Sequence, residues 1–313
     1  MDLSDFATQS YAMSLTPFDE HGRLDEEALR EHVRWLASAG ISPLPASASS
    51  GEGTLLSDDE VFRTWDIVVE EAAGRFPVIA ANREFPTADQ NIRFAHEAKT
   101  RGLDGIQVYP VTLGHVLKPT TEMLDEFYDT VLAAVDLPVL ISSNESTGFE
   151  VPLAVHERLL SKHDNILAVY KNGFDFVRSA TFYAEMAPRT AVLTGFIRLP
   201  MAFLLGATGE LDYIQNITPR TSRTMHDALH AGDAEAAGTA YAHLVRIHAR
   251  TSAFWQQERT MRVPVYKGIL RALGRPGAFA ARAPFQPLRP DQQARLADLV
   301  DELGLRQLEG LSD

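Results

Sequence analysis

The sequence predicts a (β/α)₈ barrel, a TIM barrel of the α/β class, with a C-terminal all-helical extension, and three observations carry that prediction. Apolar strand-like runs recur eight times between residues 10 and 215, with segments of helical period between them. Their spacing is roughly the thirty residues that a βαβ unit takes. No Gly-x-Gly-x-x-Gly turn follows the first run, which argues against an open dinucleotide-binding sheet.

The elements follow in order. Ser10 to Leu15 reads as a first strand, Thr16-Pro17-Phe18 as a turn, and Asp25 to Ala39 as an amphipathic helix with Leu29, Val33 and Leu36 on one face. Gly40 stops that helix, and Ile41 to Ser47 is the second strand. A helix then opens on Ser57-Asp58-Asp59-Glu60, whose acidic first turn suits the helix dipole. Further strands are expected at Pro77–Asn82, Gly105–Tyr109, Pro138–Ser143, Ile166–Lys171, Ala191–Gly195 and Leu211–Gln215. Between them, helices are expected at Thr87–Arg101, Thr121–Ala134, Leu153–Ser161, Phe174–Glu185 and Leu199–Gly206. Beyond Pro219 the pattern is helical only, at Ala228–Leu244, Ile247–Glu258, Tyr266–Leu273 and Gln292–Leu303. The barrel is therefore expected over residues 1–220 and the extension over residues 221–313, packed on it as one structural unit.

The 313 residues are 45% hydrophobic, enough for one large core. A formal net charge of −13 disfavours a nucleic-acid partner, and the absence of cysteine excludes disulfides and thiolate metal sites. No apolar run is long enough to cross a bilayer and no leader-like segment follows Met1, so a cytoplasmic protein without a membrane partner is expected.

Barrels of this class build their sites at the C-terminal strand ends. There this sequence places Ser49-Ser50-Gly51-Glu52, Asn82-Arg83-Glu84, Tyr109-Pro110, Ser142-Ser143-Asn144, Lys171-Asn172-Gly173 and Gly195. Strand alternation puts Leu167, Val169 and Lys171 on one face and Ala168 and Tyr170 on the other. With the lysine face taken as the barrel interior, Lys171 is a desolvated amine suited to attack carbonyls, and Tyr170 points to the helices. The Ser49-Ser50-Gly51 turn offers hydroxyls and backbone N–H groups that suit a carboxylate. Arg83, Lys118 and Arg198 are candidates for a second anionic group. His226 and His230 imitate a two-histidine metal motif, but no third ligand is evident and no metal or organic cofactor is expected.

Taken together, Thr16-Pro17-Phe18, Ser49-Ser50-Gly51-Glu52, Lys171 ending strand six, Gly206-Ala207-Thr208-Gly209, Asn216 and Pro219 resemble the dihydrodipicolinate synthase and N-acetylneuraminate lyase family. Val263-Pro264-Val265-Tyr266-Lys267 and Arg282-Ala283-Pro284 extend the resemblance over the C-terminal helices. The resemblance implies a Schiff-base aldolase, synthase or dehydratase acting on pyruvate or another 2-oxo acid, assembled as a homo-oligomer, a dimer or tetramer. It makes Lys171 the imine-forming lysine and Ser49 and Ser50 the pair that holds the substrate carboxylate; from their places at the expected strand ends, Gly51, Ser143, Gly195 and Arg83 are further substrate-binding candidates.

The departures are as informative. Where the family's strand five ends in Tyr-Asn-x-Pro, this chain has Leu140-Ile141-Ser142-Ser143-Asn144-Glu145, so Ser142 stands in for a proton-relaying tyrosine. The tyrosine after the proline of strand four is also missing, since Val111 and Thr112 follow Pro110, and so is the arginine after strand five. Tyr109, Ser142 with a water, or His115 are the candidates for proton transfer. The expected function is therefore a 2-oxo acid lyase that does not make dihydrodipicolinate. The alternative is a catalytically silent barrel that binds a small carboxylic acid or serves as an assembly partner.

Overall fold

A computed structural model describes residues 6, 8–111, 113, 117–144 and 148–311. The strands are β1 (Ser10–Met13), β2 (Ser42–Leu44), β3 (Ile79–Ala80), β4 (Gly105–Val108), β5 (Val139–Asn144), β6 (Ile166–Asn172), β7 (Ala191–Thr194) and β8 (Gly209–Asp212). They form one parallel sheet in the order β2-β1-β8-β7-β6-β5-β4-β3. First and last strands are neighbours and a helix follows nearly every strand, which is the strand order of a (β/α)₈ barrel. The helices between strands are α1 (Glu26–Ser38), α2 (Asp58–Ala72), α3 (Ala88–Thr100), α4 (Thr121–Ala134), α5 (Leu153–Lys162), α6 (Phe176–Met186) and α7 (Leu199–Leu204). After β8 come α8 (Pro219–Ala231), α9 (Ala234–Gln257), α10 (Arg262–Ala272), α11 (Pro290–Glu302) and α12 (Leu305–Leu308).

Two compact units make up the chain, one of residues 1–11 and 72–211, the other of residues 12–71 and 212–313. In the first, β4 to β7 bury Ile106, Val108, Ile141, Val169 and Val192. Residues of both alternation phases are buried along these strands, as expected where helices cover one face of a parallel sheet and the barrel core the other. Leu167 has no partner on β5: pairing runs from Val139↔Ile166 to Leu140↔Ala168, and this bulge sets the register of everything after it.

In the second unit, Asn216 ties the end of β1 to α1. Its Nδ2 donates to Met13 O at 2.9 Å, and its Oδ1 accepts from Leu15 N at 2.9 Å while lying 2.9 Å from His32 Nε2. Asp25 caps α1 by accepting from Ala28 N at 3.1 Å. Arg282 lies over the Phe18 ring at 4.0 Å and donates to both oxygens of Glu60, at 2.9 and 2.6 Å. The expected break near residue 245 is absent, because α9 runs unbroken from Ala234 to Gln257. The break falls earlier, at Gly232, whose φ of +72° ends α8, and Asp233 then caps α9 through Ala236 N at 3.0 Å. The His226 and His230 rings lie 4.6 Å apart on α8, tilted at 49° to each other. No helix of the described residues is long and apolar enough to cross a membrane.

Candidate functional site

Lys171 is buried at the end of β6, and its side chain faces the helices rather than the barrel. Its Nζ pairs with Glu150 and lies 5.5 Å from the centre of the Phe182 ring on α6. Ser143, its register partner on β5, points the same way, and Ser143 Oγ accepts from Val151 N, just ahead of α5, at 3.1 Å. The expectation that Lys171 enters the barrel mouth and Tyr170 turns away is therefore reversed. Period two fixes that neighbours alternate but not which of them looks inward, and apolar residues on both faces leave no sequence signal for the choice.

The strand end that carries Lys171 is pinned from α6 and β7. Thr194 Oγ1 donates to Lys171 O at 2.8 Å and lies 2.8 Å from the Tyr183 hydroxyl. The amine borders a cavity of about 470 Å³ lined by Gly148, Phe149, Glu150, Arg178, Phe182 and Lys118 among others. Arg178 also approaches Glu150, at 3.5 Å. His156, on α5, packs edge-on to Phe182 at 5.0 Å; burial, with the Lys171 charge adding to it, lowers its pKa to about 4 and keeps the ring neutral. Glu150 and Arg178 are the site residues that sequence reasoning missed. The available signal was a carboxylate in the loop after strand five, a position from which barrels draw catalytic groups.

The barrel-facing side at the same level carries Tyr170, Ser142, Gln107 and Tyr109, all buried. Ser142 pairs with Tyr170 in the β5–β6 register and accepts a hydrogen bond from Gln107 Nε2 at 2.7 Å. Ser142 and Tyr109, expected to move protons for Lys171, thus lie on the other side of the sheet from its amine. Arg83 follows β3, with its guanidinium 5.8 Å from the Phe85 ring, and Gly195 follows β7; neither lines the Lys171 cavity. Arg198 donates to the Gly173 and Phe174 carbonyls at 2.6 and 2.8 Å, so it braces the loop after β6. His115 lies outside the described residues, as do Thr112 and Glu145.

In the second unit, the Ser49-Ser50-Gly51 turn is rigidly held. Gly51 N donates to Ser47 Oγ at 2.9 Å and Gly51 O accepts from Thr16 Oγ1 at 2.6 Å. A Cβ on Gly53 would meet Ala46 O at 2.1 Å, so only glycine fits there. Ser49 is exposed, whereas Ser50 is buried and its Oγ accepts from Arg262 at 3.0 Å, a cation that no sequence motif announced. Glu52, in the left-handed region at φ 55°, forms a fully buried ion pair with Lys267 at 2.5 Å. Burial lowers the Lys267 pKa to about 8 and pushes the Glu52 carboxyl up, each opposed by the charge of the other. Among the described residues no group of three or more His, Asp or Glu side chains is placed to hold a metal ion.

Known proteins agree with this architecture. Residues 7–303 match the sequence model of the dihydrodipicolinate synthetase family. A 4-hydroxy-tetrahydrodipicolinate synthase of Pelobacter propionicus is 31% identical over 295 residues, covering 93% of this chain and 97% of its own. An uncharacterized DapA-like lyase of Thermofilum pendens is 27% identical over 308 residues, covering 93% and 96%. Among solved structures, dihydrodipicolinate synthase from Aquifex aeolicus superposes with a TM-score of 0.82 at 24% identity, covering 95% of this chain and 98% of that one. YagE, a prophage protein of the same family from E. coli K12 in complex with pyruvate, gives 0.83 at 23% identity, covering 95% and 99%. Members of this family are lyases of the class I aldolase type, and this chain belongs to the dihydrodipicolinate synthetase family.

Proposed function

We infer that this enzyme is a lyase acting on pyruvate or a larger 2-oxo acid through an imine on Lys171, and that its reaction is not dihydrodipicolinate synthesis. One observation carries the reading: a buried amine at the end of β6 lines a cavity together with a carboxylate, Glu150, that touches it. Attack of the amine on the ketone expels water and leaves a protonated imine, an electron sink that allows a neighbouring carbon–carbon or carbon–oxygen bond to break. Glu150 is in place to take the proton from the ammonium and return one to the departing hydroxyl. Arg178 and Lys118, on the cavity wall, suit the substrate carboxylate. Against dihydrodipicolinate synthesis stands β5, which closes on Ser142-Ser143-Asn144 where the resemblance leads one to expect the relay tyrosine.

A second reading, a barrel that binds a small carboxylic acid without turnover, is favoured by Tyr170, which stands barrel-facing where an amine is needed for imine chemistry inside the barrel. In that reading the Ser49-Ser50-Gly51 turn, with Arg262 behind Ser50, holds the acid. Borohydride reduction in the presence of pyruvate separates the two. The first reading expects a mass adduct on Lys171 that Lys171→Ala abolishes. Acid-dependent thermal stabilisation with no adduct across a panel of 2-oxo acids would establish the second.

Assembly as a homo-oligomer accords with the exposed apolar side chains Phe174, Phe176, Val177 and Leu204, which lie at or near α6 and α7. Light scattering of the purified chain tests the assembly; a monomer at all concentrations would reject it.

A further inference from the structure

A second cavity lies among the C-terminal helices, within the second unit, and shares no lining residue with the Lys171 cavity. Its volume of about 470 Å³ is in the range of small-molecule sites. Its walls are α8 and α9, which pack along each other from the turn at Gly232, and Leu308 of α12. Opposite charges occupy its opposite ends. Asp233 and Glu235, at the start of α9, stand beside the turn, whereas Arg220, in the first turn of α8, and His243, further along α9, stand away from it. Glu235 and His243 are eight residues apart on α9, hence about 12 Å along its axis.

Arg220 is seated for a ligand. A Cβ on Gly310 would collide with the Arg220 guanidinium, so that glycine, at a φ of +63°, clears the place the guanidinium occupies. The buried Glu309 beside it is spent elsewhere: Oε2 accepts from Arg220 N at 2.7 Å, and Oε1 from Thr221 N and Thr221 Oγ1 at 3.2 and 2.6 Å. Among the described residues no carboxylate forms an ion pair with the Arg220 guanidinium, and a fork with unused donors suits a carboxylate from outside. At the other end Asp233 Oδ1 caps α9 through Ala236 N, while the exposed Glu235 carboxylate has no ion pair among the described residues and suits an ammonium. Between the ends the wall is hydroxylic. Thr224 Oγ1 donates to Arg220 O at 3.0 Å and keeps lone pairs to accept, and the exposed Thr239 hydroxyl keeps its proton to donate. Together they match the N–H and C=O of one amide. A lone anion would meet two carboxylates here and a lone cation a guanidinium, so a molecule bearing both charges is favoured. An extended dipeptide spans about 7 Å, which leaves room for the charged side chains to reach its ends. We propose that this cavity binds a small zwitterion of the dipeptide class, its carboxylate on Arg220, its ammonium on Glu235 and Asp233, and its amide between Thr224 and Thr239.

Isothermal titration of the full chain with glycylglycine tests this, beside N-acetylglycine, which lacks the ammonium, and glycylglycinamide, which lacks the carboxylate. Glycylglycine is expected to bind about tenfold more tightly than either, the order of factor that one charge-assisted hydrogen bond supplies. Arg220→Gln should remove the advantage over glycylglycinamide, and Glu235→Gln most of the advantage over N-acetylglycine. Lys171→Ala and an excess of pyruvate should leave binding unchanged. No binding of glycylglycine, equal affinity for the three probes, or an undiminished preference in either variant would overturn the proposal. Displacement by pyruvate would place the peptide in the Lys171 cavity and overturn it equally. Should Arg220→Gln not fold by circular dichroism, Arg220→Lys, which keeps the charge but loses the fork, is expected to weaken glycylglycine relative to glycylglycinamide in its place. The site does not rest on imine chemistry: failed borohydride trapping leaves it standing, and a failed titration leaves Lys171 untouched.

Discussion

Glu150 is the residue on which the imine reading turns. A lysine ammonium held against a carboxylate is stabilised in its charged form, so nucleophilic attack requires the proton to pass to that carboxylate. Glu150→Gln is accordingly expected to slow turnover by about a hundredfold or more, the usual range for loss of an acid–base group, while slow borohydride trapping on Lys171 persists. Steady-state kinetics beside intact-mass analysis reads both effects; unchanged turnover would remove Glu150 from the mechanism. The Glu52–Lys267 pair shows a different use of charge. Each partner is fully buried, so removing one leaves the other uncompensated. Lys267→Met is expected to destabilise the fold by about 3–5 kcal/mol, measured by urea unfolding. Lys267 and Glu52 each belong to a sequence landmark, but nothing in the sequence shows that the two landmarks meet.

At the scale of elements, the Ser-Gly-Glu-Gly turn was legible and β6 only half so. Gly53 closes that turn where Ala46 O approaches too closely for a Cβ, so Gly53→Ala should cost more than the usual surface substitution. We expect a drop in unfolding free energy of about 2 kcal/mol or more, with loss of any stabilisation by small acids that depends on Ser49 and Ser50. The β6 strand was placed correctly along the chain, from Ile166 onward, yet its orientation was inverted. The bulge at Leu167 adds to the difficulty, because one extra residue flips every side chain after it relative to the preceding run. Capping was more transparent: the helix expected from Asp25 begins there, and Asp25 caps α1, since a short acceptor side chain before an amphipathic run acts locally.

Across the whole molecule, two buried histidines link stability to acid. His32, in one unit, and His156, in the other, both have folded pKa values lowered from 6.5 to about 4, chiefly by burial. The unfolded chain therefore binds more protons between those values. The stabilisation from keeping these rings neutral is fully present above pH 6.5 and is lost as the pH falls toward 4. Each histidine is linked to a loss of the order of 3 kcal/mol across that window. Urea midpoints at pH 7, 5.5 and 4.5 should fall steadily, and His156→Leu should shallow that fall; an unchanged slope in the variant would reject the assignment.

What the sequence by itself determined is the alternation of eight strands with helices, the helical C-terminal part, and the family motifs. Each of these rests on local periodicity, capping or turn chemistry, which act between residues a few positions apart. Only the tertiary structure decided which face of β6 meets the barrel. It also brought Glu150 to Lys171, Arg262 to Ser50 and Gln107 to Ser142. A strand buried on both sides has no hydrophobic contrast to mark its inner face, and that phase is set by packing against neighbouring strands and helices.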